Sequence, residues 1–356
     1  GIGTIGNITI SNNTFHLTSG ATTTKYPIGI QLQATSGGII NNLAIHDNTF
    51  TIQSNASQSK AITLQNGNFT TLFNNTITLK GKALGGISVT LSNTTTINKN
   101  TITQDDGNDE GTTSYPTTGI SIDSSPTSTL SDNTITMNGK APIAINSNSQ
   151  KLTMTNNSIL AKGGSVGSFA VALNPSANDT LFSNNRLNIT GASGINYQAK
   201  QGGALINNTI LVTNGTALLT GYQSNLALFE NNTLFTTKET GLYLQGAGMF
   251  TKNTVTVSAS GTGMRIIPRG EIIIKDMDIV VQGNYSTGIL SQTTGIPPPG
   301  IATMSGISIT ANGTASTGIN LQDANTLLEH VSITTTGPVS KGININGASN
   351  NELNNI

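Results

Sequence analysis

The chain has 356 residues, of which only 9% are charged, and its formal net charge is zero. A neutral chain of this kind lacks the excess of basic residues that binds nucleic acids and anionic membranes, so neither is expected as a partner. The absence of Cys excludes a disulfide scaffold and a thiolate metal site. No run of about 18 apolar residues occurs, which predicts no membrane span. No cofactor is expected.

One short phrase recurs along the chain: an apolar residue, two further residues, Asn, usually Thr, and another apolar residue. Three more copies keep the apolar frame but carry Met277, Ile307 and Val331 in place of Asn, which gives thirteen copies. The ten Asn residues of the phrase are Asn13, Asn48, Asn75, Asn100, Asn133, Asn157, Asn185, Asn208, Asn232 and Asn253.

A second phrase lies between these copies. Gly or a small residue precedes an apolar-x-apolar triplet, as in Gly29-Ile30-Gln31-Leu32 and Gly318-Ile319-Asn320-Leu321. Each triplet predicts a short strand with alternating faces, and the Gly is expected to permit the bend that turns the chain. Since both phrases return with their apolar register kept, equivalent strands can stack in parallel, about 4.8 Å apart.

The sequence therefore predicts an all-β, single-stranded parallel β-helix, a solenoid of about thirteen coils in one domain over residues 1–356. Asn carries both a donor and an acceptor, so stacked amides can bond to one another and to the buried backbone of a corner, which predicts an internal Asn ladder. Asn also tolerates the left-handed backbone that such corners need. Where Met277, Ile307 and Val331 replace Asn, we expect a change in turn geometry. Since neither end shows a cap, we expect a longer chain.

The paired phrases Gly-Ile-x-Leu and Asn-Asn-Thr-Ile resemble the right-handed parallel β-helix repeats of the NosD and pectate-lyase-like superfamily. They are also similar to the β-helical passengers of bacterial autotransporters. The resemblance covers nearly the whole chain and implies a right-handed solenoid. It selects no function, because that superfamily includes lyases, hydrolases, epimerases, tailspikes and adhesins.

Residues that could carry catalysis are sparse. Hydrolases of the superfamily carry Asn-Thr-Asp, Asp-Asp, Gly-His-Gly and Arg-Ile-Lys segments on adjacent coils, and this set does not occur here. The only Asp-Asp pair lies in the polar loop 104–110, which predicts a solvated loop or, as an alternative, a weak Ca²⁺ site, because hard oxygen ligands suit Ca²⁺. The candidate metal ligands are Asp105, Asp106, Asp109 and Glu110. No catalytic residue is predicted.

The segment 265–278 holds two of the three Arg residues of the chain. Its start comes closest to the Arg-x-Pro-x-x-Arg segment of the lyases that the fold resembles, but the spacing differs. Two interpretations stay open: an ion-pair patch where the Asn ladder ends, or a site for a ligand or partner. The candidate residues are Arg265, Arg269, Glu271, Lys275, Asp276 and Asp278.

The function that this sequence favours is a structural or adhesive rod, extracellular or at a cell surface, similar to an autotransporter passenger or a filament subunit. Its expected partner is a host-cell or surface glycan or protein, or a second copy bound end to end. The alternative is a carbohydrate-active enzyme, or a glycan-binding protein similar to a tailspike, with a divergent site. Regular Thr rows also leave open an ice- or mineral-binding surface.

Overall fold

A computed structural model of the chain describes residues 4–19, 26–34, 38–54, 58–104, 116–163, 168–292, 300–322, 325–346 and 351–356. Within these ranges all regular secondary structure is β-strand. The chain divides into two compact units, residues 1–192 and 193–356. The single domain over residues 1–356 stays a prediction.

In the first unit the strands pair in parallel in two sheets. The short sheet takes one strand from each coil (β3, β6, β9, β12, β15 and β18), and the long sheet takes two, one before and one after the ladder Asn. The strands are β1 (Thr4–Ser11), β2 (Thr14–Ser19), β3 (Ile28–Gln33), β4 (Ile39–His46), β5 (Thr49–Ser54), β6 (Lys60–Gln65), β7 (Gly67–Phe73), β8 (Thr76–Gly81), β9 (Gly85–Thr90), β10 (Asn93–Asn98), β11 (Thr101–Gln104), β12 (Thr117–Asp123), β13 (Thr129–Ser131), β14 (Thr134–Asn138), β15 (Pro142–Asn148), β16 (Thr153–Thr155), β17 (Ser158–Lys162), β18 (Phe169–Leu173), β19 (Leu181–Ser183) and β20 (Arg186–Thr190).

The second unit also has a short and a long parallel sheet, with seven strands in its short sheet (β21, β24, β27, β30, β32, β34 and β36). Toward its end, single strands of 11 residues replace the pair of strands in the long sheet. The strands are β21 (Ser193–Tyr197), β22 (Ala204–Ile206), β23 (Thr209–Thr213), β24 (Leu218–Thr220), β25 (Asn225–Glu230), β26 (Thr233–Thr236), β27 (Glu239–Leu244), β28 (Ala247–Thr251), β29 (Thr254–Val257), β30 (Gly261–Ile266), β31 (Ile272–Gln282), β32 (Thr287–Gln292), β33 (Ala302–Asn312), β34 (Thr317–Gln322), β35 (Thr326–Thr336), β36 (Lys341–Asn346) and β37 (Asn351–Asn354).

The core consists of stacked columns of like residues, as the repeat predicts. In the first unit, Ile10 pairs with Ile45, and Phe15 pairs with Phe50, whose ring lies parallel to it at a centroid distance of 4.7 Å. Most of these inward side chains are fully buried. Burial of such a side chain stabilises the fold by about 1.5–3 kcal/mol, so the stacked columns are the main source of stability.

The predicted Asn ladder lies at the corner of the long sheet. The Oδ1 of Asn133 accepts hydrogen bonds from the backbone N–H and the Nδ2 of Asn100, at 3.0 and 3.1 Å. Its own Nδ2 donates to the carbonyl of Ile97 at 2.8 Å and to the Oδ1 of Asn157 at 3.0 Å. The ladder residues are buried except for Asn13. Each amide therefore forms hydrogen bonds with backbone groups that, at the corner, have no partner within the sheet.

The left-handed backbone at this corner belongs to the residue before the ladder Asn, not to the ladder Asn itself as the sequence suggested. The corner residue Asn74 has φ 53° and Asn156 has φ 56°. Asn and Asp are common at these positions because they tolerate the left-handed region better than other residues with a side chain.

The change in turn geometry expected at Met277 is only partly present. Asp276 keeps the left-handed φ of 51°, so the corner itself persists. The difference lies in the hydrogen bonding, because the backbone of Met277 pairs with Ile307 inside continuous strands. An apolar residue can replace the ladder Asn there because the sheet now supplies the backbone partners.

The glycines of the second phrase lie within the short-sheet strands and are needed for close packing between coils. The sequence attributed them to a backbone bend, but Gly86 and Gly119 are not in the left-handed region. A Cβ on Gly119 would lie 2.6 Å from the carbonyl oxygen of Ala144 in the next coil, and one on Gly86 would lie 2.5 Å from that of Gly119. A side chain at this position would therefore push adjacent coils apart.

Candidate functional site

The outward side chains of the short sheet in the first unit are mainly hydroxyl and amide groups. Residues that face outward recur in register on successive strands, so they form rows that cross the sheet at a spacing of about 4.8 Å per coil. The two rows are Gln31, Thr63, Ser88, Ser121 and Asn146, and Gln33, Gln65, Thr90, Asp123 and Asn148.

Two of three adjoining clefts lie along these rows, and the third lies mainly along the corner that follows the short sheet. The first, of about 320 Å³, includes Lys60 and Ser88 in its lining. The second, of about 510 Å³, includes Asp123 and shares Ser121 and Asn146 with the first. The third, of about 740 Å³, shares Asn148 with the second. The shared walls make them one surface, here called the outer groove, with Lys60, Ser88, Ser121, Asp123, Asn146 and Asn148 along it.

Hydrogen bonds between neighbouring coils fix the amide groups of the outer groove. The Nδ2 of Asn148 donates to the Oδ1 of Asp123 at 3.0 Å. The Nδ2 of Asn174 donates to the Oδ1 of Asn146 at 2.7 Å, which leaves the Nδ2 of Asn146 available as a donor. Polar groups held in place in this way lose little freedom when a ligand binds, so the groove is preorganised for a polar ligand.

Lys60 is the one cation among the described residues that line the first cleft. Its Nζ donates to the Oγ of Ser88 at 3.1 Å. The stem of Lys60 crosses Gly85, where an added Cβ would lie 3.0 Å from its Cγ. Burial lowers the pKa of the Lys60 ammonium below its usual value of 10.5, because the cation is partly removed from water.

The predicted metal ligands Asp105, Asp106, Asp109 and Glu110 lie outside the described residues. Within the ranges that are described, no group of three or more His, Asp or Glu side chains is arranged to hold a metal ion. The same part of the chain contains no helix of the length and hydropathy that a membrane span requires.

The six candidate residues of segment 265–278 do not form one cluster of ion pairs. Arg265 lies in β30 of the short sheet, and Arg269 follows it before the long sheet begins. Glu271 is exposed just ahead of β31, and Lys275, Asp276 and Asp278 are exposed on that strand. Among the described residues, none of these last four forms an ion pair. The neighbouring ion pair joins Lys252 and Glu230 at 3.0 Å.

Each of the two Arg side chains instead lies over a tyrosine ring. The guanidinium of Arg265 is 5.0 Å from the ring centroid of Tyr243, and that of Arg269 is 5.0 Å from the ring of Tyr222. Sequence reasoning missed both tyrosines. Tyr243 was detectable, since it occupies the outward position of the second phrase and pairs in register with Arg265.

Residues 50–188 match a family model described as "Right handed beta helix region". The sequence has no significant match among curated proteins. Among solved structures, the A-module of mannuronan C-5 epimerase AlgE4 from Azotobacter vinelandii is similar, with a TM-score of 0.59 and 12% identity over 87% of this chain and 90% of that chain.

Two further structures are similar at lower scores. One is a tailspike protein mutant of E. coli bacteriophage HK620 in complex with a hexasaccharide, with a TM-score of 0.48 and 11% identity over 96% of this chain and 71% of that chain. The other is endo-xylogalacturonan hydrolase from Aspergillus tubingensis, with a TM-score of 0.36 and 12% identity over 97% and 85%.

At identities this low, the structural similarities concern the fold alone. The similarity to the epimerase agrees with the parallel strands and with the family match, and together these confirm the right-handed β-helix that the repeat phrases suggested. The chain is thus a right-handed parallel β-helix, and its residues 50–188 match the family model of that region.

Proposed function

We propose that this protein is an extracellular or cell-surface β-helix that binds a glycan along the outer groove of its first unit. The observation that carries the proposal is the set of amide and hydroxyl groups that lines three adjoining clefts, in which hydrogen bonds hold the amides of Asn146 and Asn148. Saccharides present many hydroxyl donors and acceptors, which such groups can pair. The clefts also have the volumes typical of ligand sites, about 300–1,000 Å³.

The rows suit an extended ligand. Successive coils offer equivalent polar groups about 4.8 Å apart, so a linear polymer lying across the strands meets the same kind of contact repeatedly. Many weak contacts then add up without a deep pocket. The epimerase of similar fold is named for mannuronan, a polysaccharide, which agrees with this ligand class.

The groove supports binding rather than cleavage of glycosidic bonds. Glycoside hydrolysis normally requires two carboxyl groups about 5–10 Å apart. Asp123 is the one carboxylate among the described residues that line the three clefts. A binding role is therefore favoured over the hydrolysis of glycosidic bonds. The passenger or filament identity, the host partner and the end-to-end association stay predictions.

A second candidate surface lies in the second unit, where Arg265 covers Tyr243 and Arg269 covers Tyr222. Aromatic rings and guanidinium groups are both common in binding sites, because they combine apolar area with hydrogen-bond donors. The contacts of the two Arg residues with tyrosine rings therefore support the ligand or partner site predicted for this segment. The four exposed residues on and before β31 add no such support.

The proposal is tested by applying the purified chain to an array of bacterial, plant and animal polysaccharides and by titrating any ligand found. Asn146→Ala and Asn148→Ala are each expected to weaken binding about 3- to 10-fold, the effect of a lost neutral hydrogen bond. Asn188→Ala, an exposed position on the long sheet, is the matched control. The absence of binding to any saccharide would contradict the proposal, as would a loss confined to Tyr243→Ala and Arg265→Ala.

A further inference from the structure

Lys60 and Ser88 form a pair that glycan binding does not require. They lie on the adjacent strands β6 and β9, and their Nζ and Oγ atoms are 3.1 Å apart. Ser88 is only 7% exposed, yet its side chain lines the first cleft of the outer groove. The missing side chain at Gly85 gives the Lys60 stem the space to reach it. The contact is therefore built into the sheet rather than formed by a freely moving surface lysine.

The surroundings of this pair differ from those of an ordinary surface lysine. Lys60 is the only titratable group among the described residues that line the cleft from β6, β9, β12 and β15. None of the described residues that line the cleft is a carboxylate, and burial lowers the pKa of the Lys60 ammonium. When Lys60 is neutral, its nitrogen can accept the proton that the Ser88 hydroxyl donates. A nucleophile in contact with such a base is the basic unit of acyl-transfer sites.

We propose that Ser88 is a nucleophile and Lys60 its general base, and that the pair hydrolyses acyl esters in the first cleft. Ser88 Oγ forms a bond to the ester carbonyl carbon while its proton passes to the neutral Nζ of Lys60. The bond from that carbon to the alcohol oxygen then breaks, and Lys60 returns the proton to the leaving alcohol. Water, activated by the same nitrogen, attacks the acyl-serine, which releases the carboxylic acid and restores Ser88.

Two further polar groups of the cleft suit the charge that develops on the carbonyl oxygen. The Ser121 hydroxyl is on the neighbouring strand β12, in register with Ser88. The Asn146 amide is one strand further, and its Oδ1 is occupied by Asn174, so its Nδ2 is the group left to donate. Donors held in this way stabilise a developing oxyanion without reorganising during the reaction.

The substrate class expected in the first cleft is an O-acylated saccharide. This part of the inference rests on the proposed glycan binding. The reaction of Ser88 itself does not rest on it, because a small ester or phosphonate can reach the cleft without a glycan. The two proposals can therefore fail independently.

The test is covalent labelling of the whole chain by a small fluorophosphonate, followed by intact mass and peptide mapping. We expect one adduct on Ser88, with a labelling rate that rises with pH as Lys60 loses its proton. Ser88→Ala should remove the adduct. Lys60→Arg, which keeps a cation but cannot act as a base, should slow labelling about 10²- to 10⁴-fold, the usual range for general-base catalysis. Lys60→Met is a second variant without a base.

Ser131→Ala and Lys140→Arg, both in the first unit and neither in the lining of the cleft, are the matched controls and should label at the parent rate. A merely structural contact between Lys60 and Ser88 predicts no adduct and no pH profile. A parent protein that labels no faster than Ser88→Ala would overturn the proposal. Labelling at another residue, or an unchanged rate in Lys60→Arg, would overturn it as well.

Discussion

Asn133→Ala is expected to destabilise the first unit. The loss should be larger than for the exchange to Ala of any Asn or Gln that lies outside the ladder. The substitution removes both hydrogen bonds that Asn100 donates to Asn133, and the bonds from Asn133 to Ile97 and Asn157. Buried groups left unpaired cost about 1–3 kcal/mol each. Because the Nδ2 of Asn100 keeps other acceptors, we expect a loss of about 2–4 kcal/mol rather than the full sum.

Chemical denaturation followed by far-UV circular dichroism measures this loss, and hydrogen exchange locates it. The backbone N–H of Asn100 should lose protection first, since Asn133 is its acceptor. Asn13→Ala is the matched control, because Asn13 belongs to the same ladder but is exposed, so water can replace its partners. Equal denaturation midpoints for Asn133→Ala and Asn13→Ala would show that the ladder contributes no stability through buried hydrogen bonds.

Part of the hydrogen bonding that supports the corners was invisible in the sequence. A second ladder, of serines, runs along another corner of the first unit. The Oγ of Ser125 accepts from the backbone N–H of Ser92, and the Oγ of Ser149 accepts from that of Ser125, at 3.0 and 2.9 Å. Asn stood out because it recurs inside a fixed apolar frame. These serines have no such frame and occur among many other hydroxyl residues.

The candidate site was hidden for a related reason. The inward columns could be predicted residue by residue, because burial restricts each position to an apolar side chain. Outward positions carry no such restriction, so Lys60 and Ser88, 28 residues apart, showed no pattern. Only the register of β6 against β9 brings them together. Tyr222, beside Arg269, was missed in the same way, since this contact crosses between coils.

The glycines of the second phrase could be located from the sequence, but their role could not. A bend requires a particular φ, whereas a close approach requires only the absence of Cβ, and sequence cannot separate the two. In the second unit, Gly288 lies where a Cβ would be 2.5 Å from the carbonyl oxygen of Gly318 and 2.5 Å from the Cγ2 of Ile309. Gly342 begins an equivalent Gly-Ile pair two coils later, and no atom of the described residues lies within 4 Å of its Cβ position.

Gly288→Ala and Gly342→Ala are therefore expected to change stability in opposite directions. The added methyl at 288 must displace the backbone of the next coil, and overpacking of this kind costs about 1–3 kcal/mol. At 342 the methyl meets no atom of the described residues, and replacing Gly lowers the entropy of the unfolded chain, so a gain of about 0.4–1 kcal/mol is expected for residues 1–356.

Denaturation of the two variants, monitored on the transition of the second unit, compares them directly. Both exchanges alter the unfolded chain in the same way, so their difference isolates the contact between coils in the folded state. If the glycines served a backbone bend instead, Ala would be strained at both positions and both variants would lose stability together. Equal losses would therefore restore the bend as the reason for these glycines, and a loss at 288 alone assigns them to the spacing of the coils.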